Sequence, residues 1–340
     1  MDYMGDFILF SEAFFRRRYL SGEISYHTRQ NSLSRIRSFA AFLASTRETG
    51  SLPFRELDAA IFRDYKSFCL KMGNRTTTVN RKMLPLRLAL QEAVREGKVG
   101  AELLNAPESG YLPSKKGAYG KMEEEEEAEG NAPVRFLSDS QMDRLLAYYR
   151  TLPPGSRRDR LDLFLFSFHA CGLRVSDIVT LEWKHIDLKE KTLSKILVKT
   201  RNRLTIPLSD PALEILGRWK RRSLNNRFVF NLLPEDFGFG EDGGLEKAID
   251  SRNRAIRLTL NAVGRRLGFP FPLGMHVARH TFAVKALNSA RLDVHLISRL
   301  LGHSSVTVTE KVYATFLLPT LSAEVRSRLS FPEFGAKNDG

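Results

Sequence analysis

A run of acidic residues divides this chain into two parts, and that division constrains its fold more than any other feature. Residues 108–134 collect glycine, proline and serine, and then the glutamates at 123–127 and 129. Because like charges repel one another, such a block favours an extended, flexible connector over a place in a core. We therefore expect a first domain at residues 1–107, an acidic flexible linker at 108–134, a second domain at 135–330 and a tail at 331–340.

Positive charge is concentrated on both sides of this linker. The 340 residues carry a net charge of +14, with +6 on residues 1–107, −4 on the linker and +12 on the remainder. Lysine and arginine neutralise phosphates and release counterions, so the balance favours a nucleic-acid partner. A basic protein without such a partner is the alternative. The acidic run itself is either a solvated linker or, less commonly, a DNA mimic that covers a basic groove.

Composition also excludes several classes of protein. No segment approaches the roughly 20 apolar residues that a membrane helix needs, and the N-terminus lacks the charged and apolar regions of a signal peptide. The two cysteines, Cys69 and Cys171, are too few for a disulfide framework or a cysteine-ligated metal site. We expect a cytoplasmic protein that requires no membrane, cofactor or metal.

The first domain is predicted to be helical throughout. Apolar residues recur at helical spacing from residue 7 to about residue 104 and indicate four or five helices, the last of which ends at Gly97 and Gly100. Basic side chains on the polar face either contact a DNA backbone or form an ordinary solvated face. They are Arg29, Arg35, Arg37, Arg75, Arg81 and Lys82.

The second domain is predicted to be α+β. Ser138 is a suitable N-cap for its first helix, and residues 161–170 form a long apolar helix. Two short β-rich segments, Thr192–Val198 and Leu204–Leu208, are joined by a polar turn, which predicts an antiparallel hairpin. The fold class is therefore mainly α, with one small sheet. Further helices are predicted at 210–223, 245–267, 276–290, 293–301 and 305–317.

Six polar residues stand in order within the apolar elements of this domain. Attack on a DNA phosphate without a metal places negative charge on its oxygens, and the guanidinium groups of two arginines can neutralise that charge bidentately. A tyrosine phenol that forms a phosphodiester keeps the bond energy for rejoining, so no ATP is needed. The six are Arg174, Lys199, His276, Arg279, His303 and Tyr313.

Roles for the other residues follow from acid–base chemistry. Lys199, beside the hairpin turn, can donate a proton to the departing oxygen, His276 can accept the tyrosine proton and His303 can hold a phosphate oxygen. Lys191 and Lys195 are close alternatives to Lys199. Taken singly, each residue also has an ordinary structural interpretation, and only the ordered set favours chemistry. Four histidines are interpreted as structural: His169, His185, His280 and His295.

Five motifs together resemble the signature of tyrosine recombinases, also called phage integrases. The resemblance is strong over residues 135–317 and weaker over the N-terminal helices, which are similar to the family's SAM-like core-binding domain. The motifs are Gly172-Leu-Arg174-Val-Ser-Asp177, Lys199-Thr200 before Ile206-Pro-Leu208, His276-Val-Ala-Arg279-His-Thr-Phe282, Leu301-Gly-His303-Ser-Ser305 and Thr309-Glu-Lys-Val-Tyr313.

This resemblance implies a DNA-breaking-rejoining fold and a site-specific recombinase that forms a 3′-phosphotyrosyl link. Tyr313 is then the nucleophile, Asp177 is a supporting carboxylate and the other five residues activate the phosphate. The resemblance further implies a C-shaped clamp on double-stranded DNA with inverted-repeat core sites, a tetramer on two duplexes and a Holliday junction. A C-terminal segment at 317–329 would pack on a neighbouring protomer or on its own domain, and an accessory DNA-bending protein is a possible partner.

One spacing departs from the family pattern. Many relatives place the tyrosine nine residues after the histidine of Leu-Gly-His, whereas Tyr313 lies ten residues after His303. Either the loop Ser304–Thr307 absorbs the extra residue, or that residue turns the helix by about 100°.

Two other functions remain open on the same scaffold, namely a DNA-binding regulator that does not cut and a DNA-relaxing topoisomerase of the tyrosine type. Within recombination, the early start of the helices favours a simpler machine than a large phage integrase. Integrase, invertase and resolvase roles, the target site and the delivery of Tyr313 in cis or in trans all stay open.

Overall fold

The computed structural model describes residues 5–113, 134–222, 225–240, 243–290, 292–307, 309–310 and 312–313. These residues form two units, one on each side of the acidic run, and each unit has its own apolar core. The acidic run and the C-terminal segment at 317–329 lie outside the described residues. No helix in the described ranges is long and apolar enough to cross a membrane.

The described residues of the first unit form five α-helices, at the upper end of the expected number. Asp6, Ser25 and Asp58 cap the first three, each through its side-chain oxygen and a backbone N–H three residues later. Aromatic rings fill the core, where Phe39 stacks on Phe62. The helices are α1 (Phe7–Leu20), α2 (Tyr26–Arg47), α3 (Ala59–Lys71), α4 (Thr76–Arg95) and α5 (Ala101–Asn105).

The basic residues expected on the polar face of this unit differ in their contacts and in their exposure. The guanidinium of Arg29 lies 4.1 Å from the ring centroid of Tyr19, and Arg37 lies 3.6 Å from Glu12. Arg75 and Arg37 are exposed, while Arg29 and Lys82 are half-buried. Arg29 and Arg37 therefore have cation–π or ionic contacts within the unit.

The second unit surrounds one apolar helix, α7. Its buried side chains run from Leu161 to Ser167, and it packs against α8, α9, α10 and α11. The helices are α6 (Asp139–Thr151), α7 (Ser156–His169), α8 (Val175–Val179), α9 (Asp210–Arg222), α10 (Gly244–Arg266), α11 (Met275–Asn288) and α12 (Val294–Leu301). The mainly α fold class is confirmed.

A small antiparallel sheet lies beside these helices, with the strand order β1-β2-β3. The predicted hairpin is β2 (Thr192–Ile196) and β3 (Arg203–Pro207), and Leu193 pairs with Ile206 in its register. The two-residue strand β1 (Ile186–Asp187) was not predicted, because two residues are too few to show an alternating pattern.

One buried carboxylate joins α6, α7 and α9. Asp162 is 2% exposed; its Oδ2 accepts a hydrogen bond of 3.0 Å from Trp219 Nε1, and its Oδ1 accepts one of 3.0 Å from Arg218. The Tyr149 hydroxyl donates to the same Oδ1. Loss of this carboxylate would leave the buried Trp219 N–H without its acceptor and Arg218, which also donates to the Tyr149 hydroxyl, without its ionic partner.

We predict that Asp162→Ala destabilises the second unit by about 3–5 kcal/mol, the usual cost of removing one partner of a buried ionic network. Both tryptophans of the chain, Trp183 and Trp219, lie in this unit, so urea unfolding followed by tryptophan fluorescence reports on it selectively. The exposed Asp143 on α6 supplies the control, since Asp143→Ala should change stability by less than about 0.5 kcal/mol. Equal midpoints for the two variants would contradict the assignment.

Candidate active site

A cavity of about 170 Å³ lies between the start of α8, the β2–β3 turn and the start of α11. It brings together four of the six residues that the sequence singles out, and no carboxylate is among its lining residues in the described part of the chain. The lining residues are Leu173, Arg174, Val175, Ser176, Lys199, Met275, His276 and Arg279. The cavity is therefore a basic pocket whose other lining residues are apolar, apart from Ser176.

The two arginines of the cavity are held by backbone carbonyl oxygens. Arg279 is 5% exposed and donates 2.9 Å hydrogen bonds from Nη1 to the Gly172 oxygen and from Nη2 to the Leu301 oxygen. Arg174, the residue that precedes α8, is 8% exposed, and its Nη1 lies 3.5 Å from the same Leu301 oxygen. These neutral acceptors orient the guanidinium groups without cancelling their charge.

Gly172 permits this close packing. Its φ of +73° is a left-handed conformation, and a Cβ at this position would lie 3.0 Å from both Arg279 Cγ and Leu301 Cδ2. Any larger residue would therefore displace the arginine side chain or the end of α12. The glycine of the Gly-Leu-Arg motif thus has two roles: it permits the turn before Arg174, and it leaves space for the side chain of Arg279.

Asp177 and Lys199 lie on facing elements of the site. The Asp177 carboxylate is fully buried, and its Oδ1 accepts a 2.7 Å hydrogen bond from the Val198 N–H. Burial raises the pKa of this carboxyl, while the Val198 N–H and the charge of Lys195 act in the opposite direction. Lys199 follows Val198 in the turn, is exposed and reaches the cavity. Asp177 therefore fixes the backbone next to Lys199.

The two predicted histidines differ in position. His276 is exposed at the start of α11 and lines the cavity. His303 is half-buried, follows Gly302 at the end of α12 and lies outside the cavity lining. Its Nδ1 is 2.7 Å from the Thr309 hydroxyl, on the next helical segment. The structure thus connects His303 to the segment that carries Tyr313.

Tyr313 lies apart from the cavity. Its side chain is 1% exposed and packs in an apolar cluster with Leu287, Ile297 and Leu301. Its hydroxyl is 2.8 Å from Nδ1 of His280. The helical turn that carries it begins at Val306, after a loop at residues 303–305. In this conformation the phenol is buried, and Tyr313 is not among the residues that line the basic pocket.

The sequence interpretation missed the contact between His280 and Tyr313, because His280 was interpreted as a structural histidine. It lies four residues after His276 on α11, so the two rings share one helix face, with their centroids 6.4 Å apart. That spacing was visible in the sequence. The partner was not, because only tertiary packing brings Tyr313 to this helix.

We predict that His280→Leu increases the exposure of the Tyr313 phenol. Loss of this hydrogen bond costs the buried position about 1 kcal/mol, so Tyr313 should leave its cluster roughly fivefold more often. The rate of Tyr313 nitration by tetranitromethane, measured by peptide mass spectrometry, reports this exposure. The exposed His295 on α12 gives the control variant His295→Leu. An unchanged nitration rate in His280→Leu would show that the contact does not hold the phenol.

Within the described ranges, no group of three or more histidine, cysteine, aspartate and glutamate side chains is arranged to hold a metal ion. The site is instead built from guanidinium, ammonium, imidazole and phenol groups. These are the groups of acid–base and phosphate chemistry.

Known proteins are similar in sequence to this chain. A tyrosine recombinase XerC from Xanthomonas campestris pv. campestris is 25% identical over 299 residues, which are 88% of this chain and 82% of that protein. Tyrosine recombinase XerC 1 from Ralstonia nicotianae is 29% identical over 195 residues, 53% of this chain. This chain spans just over half of the length of that second relative, 56%.

A solved structure agrees in fold. The Tn1549 transposon integrase in complex with transposon right end DNA superposes with a TM-score of 0.66 at 16% identity, over 96% of this chain and all of that chain. Family models give the same result: the phage integrase SAM-like domain matches residues 6–106, and the phage integrase family matches residues 135–317. The match to the phage integrase family covers more than half of this chain, and the chain therefore belongs to that family.

Proposed function

We propose that this protein is a site-specific DNA recombinase that cuts and rejoins DNA through a 3′-phosphotyrosyl link at Tyr313. The observation that carries the proposal is the basic cavity, where the buried guanidinium groups of Arg174 and Arg279 lie beside Lys199 and His276. Two fixed and largely buried positive charges stabilise the extra charge on an attacked phosphodiester. Membership in the family supports the same reaction.

The proposed step balances as follows. The Tyr313 phenol gives up its proton, and a bond forms between its oxygen and phosphorus. The bond from phosphorus to the 5′ oxygen breaks, and a proton from Lys199 Nζ passes to that oxygen. The arginines hold the non-bridging oxygens, with His303 as a further donor, and His276 accepts the tyrosine proton. Rejoining reverses each transfer, so neither ATP nor an external oxidant takes part.

The present position of Tyr313 adds one requirement to this scheme. Because the phenol is buried against His280, attack requires its helical turn to leave the apolar cluster and approach the cavity. The covalent step is therefore coupled to a conformational change.

The proposed partner is double-stranded DNA with inverted-repeat core sites, on which protomers assemble as a tetramer on two duplexes and pass through a Holliday junction. Support comes from the net charge of +14, from the family match, and from the DNA complex of the structurally similar transposon integrase. The outcome for the DNA would be integration, excision or inversion.

We predict that Tyr313→Phe abolishes a covalent protein–DNA adduct while DNA binding persists. Nicked duplexes that carry candidate sites from DNA flanking the gene trap the adduct, because the cleaved short strand diffuses away before rejoining. Denaturing gels detect the adduct, and native gels measure binding. Tyr148→Phe, on α6, is the matched control and should form the adduct at the wild-type rate. An adduct that survives Tyr313→Phe would refute the nucleophile assignment.

A second prediction concerns the position of the arginines. Gly172→Ala should slow adduct formation roughly a hundredfold, because a displacement of about 1 Å in a catalytic group costs this much. Gly268 also has a positive φ, +65°, but a Cβ there would meet nothing within 4 Å. Gly268→Ala therefore has comparable backbone strain without a clash and should cleave at nearly the wild-type rate. Equal rates for the two variants would show that the approach of Arg279 to Gly172 does not matter.

A further inference from the structure

Lys195 occupies a core-facing position of β2 where an apolar residue would be expected. Its neighbours on the same face, Leu193 and Leu197, are 0% and 1% exposed, and Lys195 itself is 6% exposed. Burial of an ammonium group costs free energy unless the group is paired or hydrogen-bonded. Packing alone therefore does not explain a lysine at this position.

The contacts of Lys195 connect the hairpin to α8. Its Nζ donates a 3.0 Å hydrogen bond to the carbonyl oxygen of Thr180, the residue at the C-terminal end of α8. A cation at this end also interacts favourably with the helix dipole. The Val198 N–H makes the second connection, to Asp177 within α8. Two hydrogen bonds thus join residues 195–198 to one five-residue helix.

These two hydrogen bonds affect the cavity because each of the elements that they join carries a residue that lines it. Arg174 is the N-cap residue of α8, and Lys199 directly follows Val198. Both line the cavity, from opposite elements. The separation of Arg174 and Lys199 is therefore set by how the hairpin is fixed against α8.

We propose that Lys195 is a positioning residue for DNA cleavage: its buried ammonium fixes the hairpin to α8, so that Lys199 faces the phosphate held by Arg174. The proposal rests on the proposed function and adds to it a residue that does not touch the substrate.

The electrostatics of Asp177 support this role. Burial raises the pKa of its carboxyl, and among the nearby cations Lys195 acts most strongly to lower it. In turn, burial lowers the pKa of the Lys195 ammonium, and Asp177 opposes that effect. The positive charge of Lys195 thus favours an ionised Asp177, which is a stronger acceptor for the Val198 N–H than a neutral acid.

A sulfur-substituted substrate tests the role of Lys199 separately from that of the arginines. When sulfur replaces the 5′ bridging oxygen at the cleaved phosphate, the leaving group is a thiolate and needs no proton. A variant that fails only in protonation then recovers, whereas a variant that fails to stabilise the phosphate does not. The cleaved phosphate is first mapped with the wild-type protein on ordinary nicked duplexes.

We expect Lys195→Met to cleave the oxygen substrate roughly ten- to a hundredfold more slowly, a part of the contribution of a general acid. On the sulfur substrate it should cleave within about threefold of wild type, as should Lys199→Ala, whereas Arg174→Ala should remain slow on both. Lys195→Arg, which keeps the charge, should recover part of the rate on the oxygen substrate. The double variant Lys195→Met, Lys199→Ala should be no slower than Lys199→Ala alone.

The exposed Lys189, in the turn before β2, supplies the matched control. Lys189→Met should cleave both substrates like wild type. Tryptophan fluorescence shows whether each variant is folded, and Lys195→Gln, which keeps a donor for the Thr180 carbonyl, is used if Lys195→Met is not. Loss of the fold in both variants would overturn the proposal, because Lys195 would then serve the core and not the cavity.

Two further results would also overturn it. One is cleavage of the oxygen substrate by Lys195→Met at the wild-type rate, and the other is an equal defect on oxygen and sulfur substrates. Failure of the proposed function itself gives a different result, because the wild-type protein would then form no adduct that depends on Tyr313.

Discussion

The site depends on one backbone carbonyl, that of Leu301, which lies against the guanidinium groups of both Arg174 and Arg279. Three elements meet there: the start of α8, the second turn of α11 and the end of α12. Burial of two like charges side by side is costly, and hydrogen bonds to neutral oxygens offset part of that cost while the positive charge is kept. The bare backbone of Gly172 gives the space for this arrangement. An anion such as a phosphate would complete the charge balance.

Most of the fold was predictable because it follows from local periodicity. Helical spacing of apolar residues predicted the N-terminal helices and α9 to α12, and two β-rich segments around a polar turn predicted the hairpin. Arg174, Lys199, His276 and Arg279 were predicted as one set and do line one cavity. The contact of His280 with Tyr313 was not predictable, since 33 residues separate them and no local pattern records the packing of α11 against the helical turn that carries Tyr313.

The position of Lys195 in its strand was a signal in the sequence that the interpretation did not use. The strand Thr192–Ile196 alternates, so Leu193 and Lys195 share a face, and a strand with an apolar core face would place both inside. In the sequence, Lys195 was only an alternative to Lys199 for proton donation. The structure separates the two lysines by position: one is exposed at the turn and reaches the cavity, and the other is buried and bonded to α8. Charge at a core-facing strand position was the informative feature.

The burial of Tyr313 has a kinetic consequence. A nucleophile that is exposed for only a fraction of the time reacts at its intrinsic rate multiplied by that fraction, and each 1.4 kcal/mol that favours the buried position lowers the observed rate tenfold. If Tyr313 is the nucleophile, as proposed, a protein in this conformation forms the covalent link slowly even when its basic pocket is occupied. Any contact that favours the exposed phenol then acts as an activator, and its free energy converts directly into rate.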